Sequence, residues 1–245
     1  MQISKYSASG NDFLIFHTLI ERDYSKLAKK LCHRHKGVGA DGLIVLVPSS
    51  ECDFKWLFYN CDGSYAAMCG NGTRACAHYA FTNKLAKKKM TFLTGAGLVN
   101  STVKGNIVKS ELTEVSKLLN KFNEEDREWH FYNVGVPHLV TKVKNLNEYN
   151  KKLASKMRYK YDANVNFVLQ TKESLHVRTY ERGVENETSA CGTGMAASFY
   201  SLHVEGLVGN CAKVYPASKE ELNLSISKGR LFLKGKVVKV FETNI

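Results

Sequence analysis

The chain has 245 residues, 44% of them hydrophobic, and a formal net charge of +12, a length that accommodates one large core or two of ordinary size. No apolar run approaches the length of a membrane span, and the start, MQISKYSASGND, shows no basic-then-apolar leader, so the sequence reads as soluble and cytoplasmic with no membrane partner. The positive charge lies on scattered lysines. The densest run, Lys87-Lys88-Lys89, reads as a solvated face or turn, which argues against nucleic acid as the principal partner.

Taken in chain order, strand-like runs fall at 13–18, 43–47, 54–59, 90–93, 107–112, 138–143, 166–169, 175–180, 222–226 and 237–241. Among them, Asp23 is placed to cap a helix carrying Leu27 and Leu31 that stops near Gly37, and Asn147 to start another with Leu153 and Met157 on one face. With 3 prolines and no low-complexity stretch, no linker is visible. The seven cysteines (Cys32, Cys52, Cys61, Cys69, Cys76, Cys191 and Cys211) are an odd number, which in a reducing compartment argues against a disulfide framework. None has a neighbour at the close C-x₂₋₄-C spacing of structural zinc sites, so no metal is expected.

The chain repeats itself around two of these cysteines. FYNCDGSYAAMCGNGTRACAHYA surrounds Cys69 and TYERGVENETSACGTGMAASFYS surrounds Cys191. Each has an aromatic and a polar residue (Tyr59-Asn60, Tyr180-Glu181), a glycine-bearing turn, Cys-Gly-x-Gly, and an alanine-rich stretch. The offsets are 191 − 69 = 122 and 181 − 60 = 121, so the second turn holds one extra residue, and the chain reads as two similar halves.

The alanine-rich stretches, 73–80 and 195–203, read as helices that start immediately after the cysteines. A thiol at a helix N-terminus feels the positive end of the dipole, which favours thiolate. The unpaired N–H groups there suit an anion such as a carboxylate. Two such thiols serving one carbon could invert it: one removes the proton from one face while the other donates to the opposite face, and the N–H groups stabilise the enolate-like charge that develops.

The segments ASGNDF, GVGADG, YNCDGSYAAMCGNG, NVNF and YERG…ETSACGTG closely resemble diaminopimelate epimerase, and the matches run over almost the whole chain. The resemblance implies an α+β fold of two pseudo-symmetric domains, each a β-barrel-like sheet around a central helix, with the active site in the interdomain cleft. It places residues 1–114 plus 236–245 in the domain carrying Cys69 and residues 115–235 in the domain carrying Cys191, with the final strand returning to the first. It further implies conversion of L,L-diaminopimelate to its meso isomer in lysine and peptidoglycan precursor biosynthesis, without cofactor or metal. Diaminopimelate would be the small-molecule partner, and a homodimer is allowed.

Carried over by position, Cys69 and Cys191 are the acid/base pair, and Gly70-Asn71 and Gly192-Thr193 supply N–H donors to the reacting carboxylate. Asn11, Asn60, Asn164 and Arg182 would hold the substrate's amino and carboxylate groups, the guanidinium gripping a carboxylate bidentately. Glu181, also placed against substrate, and His138 would adjust the thiols' pKa. Two positions depart from the family. Gly135-Val136-Pro137-His138 stands where the family usually has Gly-Asn-Pro-His, so a substrate amide is missing, and Asn133 or a water would replace it unless the distal end has fewer contacts. The other departure is the extra residue within 184–187. Rival readings are a two-thiol epimerase of another amino acid, such as a proline racemase, and a cysteine-nucleophile hydrolase pairing one thiol with His138. The isomerases of phenazine synthesis lack the cysteine pair.

Overall fold

The computed structural model describes all residues, 1–245, and divides into two compact units, Met1–Glu111 with Gly235–Ile245, and Leu112–Lys234. The first unit contains β1 (Gln2–Ala8), β2 (Asn11–His17), α1 (Ser25–Leu31), β3 (Gly42–Val47), β4 (Phe54–Asn60), α2 (Gly70–Thr82), β5 (Lys89–Thr94), β6 (Gly97–Lys104) and β7 (Ile107–Glu111). Strands β1 and β2 form a hairpin whose two turn residues, Ser9 and Gly10, both have positive φ (53° and 87°), the backbone that a tight two-residue hairpin favours. Strand β2 then runs parallel to β3, β3 antiparallel to β4, and β4 parallel to β5, which continues as the meander β5–β6–β7.

Strands β2, β3 and β4 are buried on both faces, which is why they read as nearly unbroken apolar runs. Phe13, Ile15, Ile44, Leu46, Trp56 and Phe58 pack with Ala75, Cys76, Ala77 and Ala80 of α2. On the alternate face, Leu14, Phe16, Leu43, Val45 and Leu57 pack with Ala28 and Leu31 of α1. Helix α2 is buried on nearly every side, as a helix at the centre of a sheet must be.

The second unit contains β8 (Ser116–Glu124), β9 (Arg127–Asn133), β10 (Pro137–Val143), a single 3₁₀ turn (Leu146–Glu148), α3 (Lys151–Tyr161), β11 (Asn164–Gln170), β12 (Ser174–Glu181), β13 (Asn186–Thr188), α4 (Gly192–Val204), β14 (Cys211–Tyr215), β15 (Leu222–Ser227) and β16 (Arg230–Lys236), whose last two residues already belong to the first unit. Its connectivity repeats that of the first: antiparallel β9–β10, parallel β10–β11, antiparallel β11–β12, parallel β12–β14, then antiparallel β14–β15–β16. Leu139, Val143, Val165 and Phe167 cover Ala154 and Met157 of α3, and α4 is the buried central helix. The chain ends in β17 (Val238–Asn244), which pairs antiparallel with β1. No helix is long and apolar enough to cross a membrane.

All ten predicted strands are present, but both expected helix starts shift. Asp23 accepts from the N–H and hydroxyl of Ser25, yet the residue at the cap of α1 is Tyr24, and the helix ends at Leu31, before the turn that reaches Gly37. Asn147 lies inside the 3₁₀ turn, which Asn145 caps. Helix α3 is capped by Asn150, whose side chain accepts from Leu153 N–H at 3.0 Å. Asn150→Ala should therefore cost about 1 kcal/mol and lower the melting temperature by a few degrees, whereas Asn147→Ala, which removes no cap, should leave it unchanged; calorimetry of the two variants checks this.

Candidate active site

The helices α2 and α4 begin at Gly70 and Gly192, immediately after the cysteines as expected and ahead of the alanine-rich stretches, so each cysteine is itself the N-cap residue, with extended backbone. Cys69 Sγ accepts from Gly72 N–H at 3.3 Å, a bond a thiolate accepts more strongly than a thiol. The first intrahelical bonds run from Thr73 N–H to Cys69 O and from Met195 N–H to Cys191 O. That leaves the N–H groups of Gly70 and Asn71, and of Gly192 and Thr193, without an intrahelical acceptor. Cys191 is buried and its sulfur lies 3.6 Å from Thr193 Oγ1.

The strand registers align the two repeats residue by residue. Leu14 pairs with Leu43, which pairs with Tyr59, as Leu139 pairs with Val165, which pairs with Tyr180. Phe13 therefore corresponds to His138 and Asn11 to Val136. The position at which the family amide is missing is thus the counterpart of an asparagine that the first repeat retains. The extra residue of the second repeat lies in the turn after β12, where Gly183 and Glu185 have positive φ and β13 folds back on β12; the first repeat has only a single bridge there, Tyr59 with Tyr65.

In the first unit, Asn11 and Asn71 join a partly buried chain of polar groups. Asn71 Nδ2 donates to Asn11 Oδ1 at 2.6 Å, and Asn11 Nδ2 donates to Asp41 Oδ2 at 3.0 Å. Arg74, fully buried, donates to Asn71 Oδ1, to Ser9 Oγ and to Lys236 O. It thus ties the strained β1–β2 turn to the first turn of α2. Arg34 clamps Asp12 with both terminal nitrogens and also reaches Asp41; with Lys5, it holds the Asp12 carboxyl below its usual range against the opposing effect of burial. The expected Asn11 is thus anchored from both ends, and Asn60, at the end of β4, donates to Ser64 Oγ at 3.0 Å. Arg74, Ser9 and Asp41 were not singled out in the sequence; the available signal was one arginine among the otherwise small residues of Gly70–Ala77.

In the second unit, His138, Asn164 and Arg182 come together. His138 is fully buried on β10. Burial, then the charge of Arg182, pushes its imidazole down to about 3, so the ring is neutral at physiological pH. Asn164 Oδ1 accepts from Arg182 N–H at 2.7 Å, and Arg182 Nη1 is held by the carboxylate and carbonyl of Asp162. Glu181 Oε2 accepts from Thr188 Oγ1 at 2.8 Å. Asn133, a suggested replacement for the missing amide, has a buried Oδ1 without a hydrogen-bond partner. Two buried residues outside the expected set, Asn166 and Thr179, sit between His138 and the start of α4. Asn166 Nδ2 lies 3.2 Å from His138 Nδ1, and a Cβ on Gly194 would lie 2.3 Å from Asn166 Oδ1.

One cluster has metal-ligand chemistry: atoms of Glu128, His130 and Glu205 lie within 4.8 Å of one another. Lys121 Nζ sits on both carboxylates, at 2.9 and 3.5 Å, so an ammonium already offsets one of their two charges. We read it as a surface ion-pair cluster.

The architecture is shared with an enzyme class. A probable proline racemase from Agrobacterium radiobacter superposes with a TM-score of 0.77 at 13% identity, covering 100% of this chain and 92% of that one, so this chain has the two-repeat fold of that racemase. The family profile of diaminopimelate epimerase matches residues 3–118 and 130–240, leaving out most of the β8–β9 hairpin. A diaminopimelate epimerase of a Nitratiruptor species is 54% identical over 99% of this chain and 98% of its own length. One from Campylobacter jejuni is 49% identical over 100% and 98%. The chain belongs to the diaminopimelate epimerase family.

Proposed function

We propose that the protein interconverts L,L- and meso-diaminopimelate by proton transfer between two thiols, with no cofactor or metal, as a step that supplies lysine and peptidoglycan precursors. It is an isomerase whose substrate is a small amino acid. The observation that carries the two-thiol reading is the placement of Cys69 and Cys191 as N-caps of the matching central helices of the two repeats. One thiolate takes the α-proton, breaking C–H and forming S–H, and the other thiol protonates the opposite face and becomes the thiolate. The free N–H groups of Gly70, Asn71, Gly192 and Thr193 hold the carboxylate as it gains charge, the role in which preorganised donors contribute most. Asn11, Asn60, Asn164, Glu181 and Arg182 are proposed to hold the remaining polar groups of the substrate.

A hydrolase using His138 as base is disfavoured by the surroundings of that ring. It is buried, beside the positive Arg182, and its two nitrogens face the amide nitrogens of Asn164 and Asn166, so it is a poor proton acceptor. The experiment that tests the proposed reaction is incubation with L,L-diaminopimelate in D₂O without pyridoxal phosphate or metal. Formation of the meso isomer with deuterium at the inverted carbon is expected. No incorporation by folded protein would overturn the proposal.

A further inference from the structure

The polar groups around His138 determine which of its nitrogens carries the proton. Asn166 Nδ2 donates to the backbone oxygen of Leu139 at 2.8 Å, and a carbonyl can only accept. This fixes the amide with its nitrogen toward His138 and its oxygen toward Thr179, whose hydroxyl donates to it at 2.9 Å. Asn164 is oriented in the same way by the backbone N–H of Arg182 on its oxygen. A contact with Asn166 would favour the imidazolium only if the amide presented its oxygen, and that oxygen belongs to Thr179. The second hydrogen of Asn166 Nδ2 therefore points to His138 Nδ1, at 3.2 Å, and requires a lone pair there. A neutral ring with its lone pair on Nδ1 carries its hydrogen on Nε2. Near Nε2 stands Asn164 Nδ2, at 3.5 Å, itself a donor and too far for a proper bond, so Asn164 does not take the Nε2–H.

We propose that Asn166 is a positioning residue: its amide, locked by Leu139 and Thr179, holds His138 as the Nε2-protonated neutral tautomer, so that the ring offers a buried donor to an anionic ligand and not a base. The consequence for the reaction rests on the proposed function; the tautomer does not. Asn166, Thr179 and His138 are each almost wholly buried, so water does not compete for these bonds. The charged group that acts on the ring is Arg182, whose repulsion of an imidazolium works in the same direction as the two amide donors.

The test is ¹⁵N–¹H correlation spectroscopy of the histidine rings in the whole protein, with the His138 signals assigned by their loss in His138→Gln. In the wild type, His138 should show a protonated Nε2 and an unprotonated Nδ1, unchanged between about pH 5 and pH 9, the range in which an ordinary histidine titrates. Asn166→Asp replaces the donor with a carboxylate that accepts from Nδ1–H, so the proton should move to Nδ1 and the ring should begin to titrate in that range. Thr179→Val frees the amide to turn and should give a mixture of tautomers. In epimerisation assays, both variants should lower kcat with little change in KM. A wild-type ring protonated on Nδ1, or one titrating normally, would overturn the proposal, as would an Asn166→Asp spectrum like that of the wild type. If Asn166→Asp does not fold, the wild-type and Thr179→Val spectra decide, and none of the spectra requires substrate, so loss of the proposed reaction would be a separate result.

Discussion

Cys69→Ala and Cys191→Ala should each abolish inversion of the α-carbon, by on the order of 10²–10⁴-fold or more, the range that general acid–base groups supply. Because inversion needs a proton carrier for each face, the double variant should be little worse than either single one, the non-additivity of groups that act as a unit. The half-reactions separate the roles. A protein retaining one thiol can still take a proton on its own face and return one there, so each single variant should exchange the α-hydrogen of one stereoisomer with solvent deuterium while inverting none. The other thiols supply the controls. Burial raises Cys32 to about 12 and Cys76 well above the ordinary thiol range, which leaves both protonated at neutral pH; Cys52 and Cys211 stand outside the buried core. Cys32→Ala, Cys52→Ala and Cys211→Ala should keep near-wild-type turnover, with Cys32→Ala losing some stability because its sulfur fills buried space. Chiral chromatography combined with mass spectrometry reads inversion and exchange in one sample. Full inversion by either single variant would remove the two-thiol mechanism.

What could be read from the sequence was what one residue type expresses alone. The paired Cys-Gly-x-Gly loops were visible because the chain repeats them, and the apolar runs of β2, β3 and β4 because a strand buried on both faces is nearly continuously hydrophobic. Strand β6 was missed although its burial alternates, because one of its inward positions is Ser101, whose hydroxyl meets that of Ser110 in the core at 2.7 Å. Strand β8 was missed for the opposite reason: nearly all of it is exposed, so no apolar period exists to be read. The helix starts were misplaced where several cap-forming residues lie close together, as Asn145, Asn147 and Asn150 do, and only the backbone decides which one caps. At the candidate site the cysteines were legible, but their supports were not. Arg74, Asp41, Asn166 and Thr179 act through partners distant in the chain, and sequence spacing carries no record of those contacts.

Gly194→Ala should be far more damaging than Gly72→Ala, although the two glycines occupy the same place in the repeated Cys-Gly-x-Gly. Helix propensity alone favours alanine at either position by about 1 kcal/mol. At Gly72 the new Cβ would meet Cys69 Cβ at 3.3 Å and Trp56 Cζ3 at 3.4 Å, tight contacts that a shift of a few tenths of an ångström relieves, so stability should change by no more than about 1 kcal/mol. At Gly194 it would meet Asn166 Oδ1 at 2.3 Å and Thr179 Oγ1 at 3.0 Å, and Asn166 cannot retreat while Leu139 O and Thr179 hold both ends of its amide. Either α4 lifts from β11 and β12, or the amide gives up buried hydrogen bonds. Overpacking costs about 1–3 kcal/mol and an orphaned buried polar group about 1–3 kcal/mol more, so after the gain of about 1 kcal/mol in propensity a loss of about 1–5 kcal/mol remains. Because Cys191 caps the displaced helix, kcat should also fall, by up to about 10²-fold for a displacement near 1 Å. Denaturant melts and steady-state kinetics of the two variants in parallel give the comparison. If Gly194→Ala proves as stable and as active as Gly72→Ala, then α4 does not rest on Asn166, and the route by which we connect that residue to His138 and the helix start is wrong.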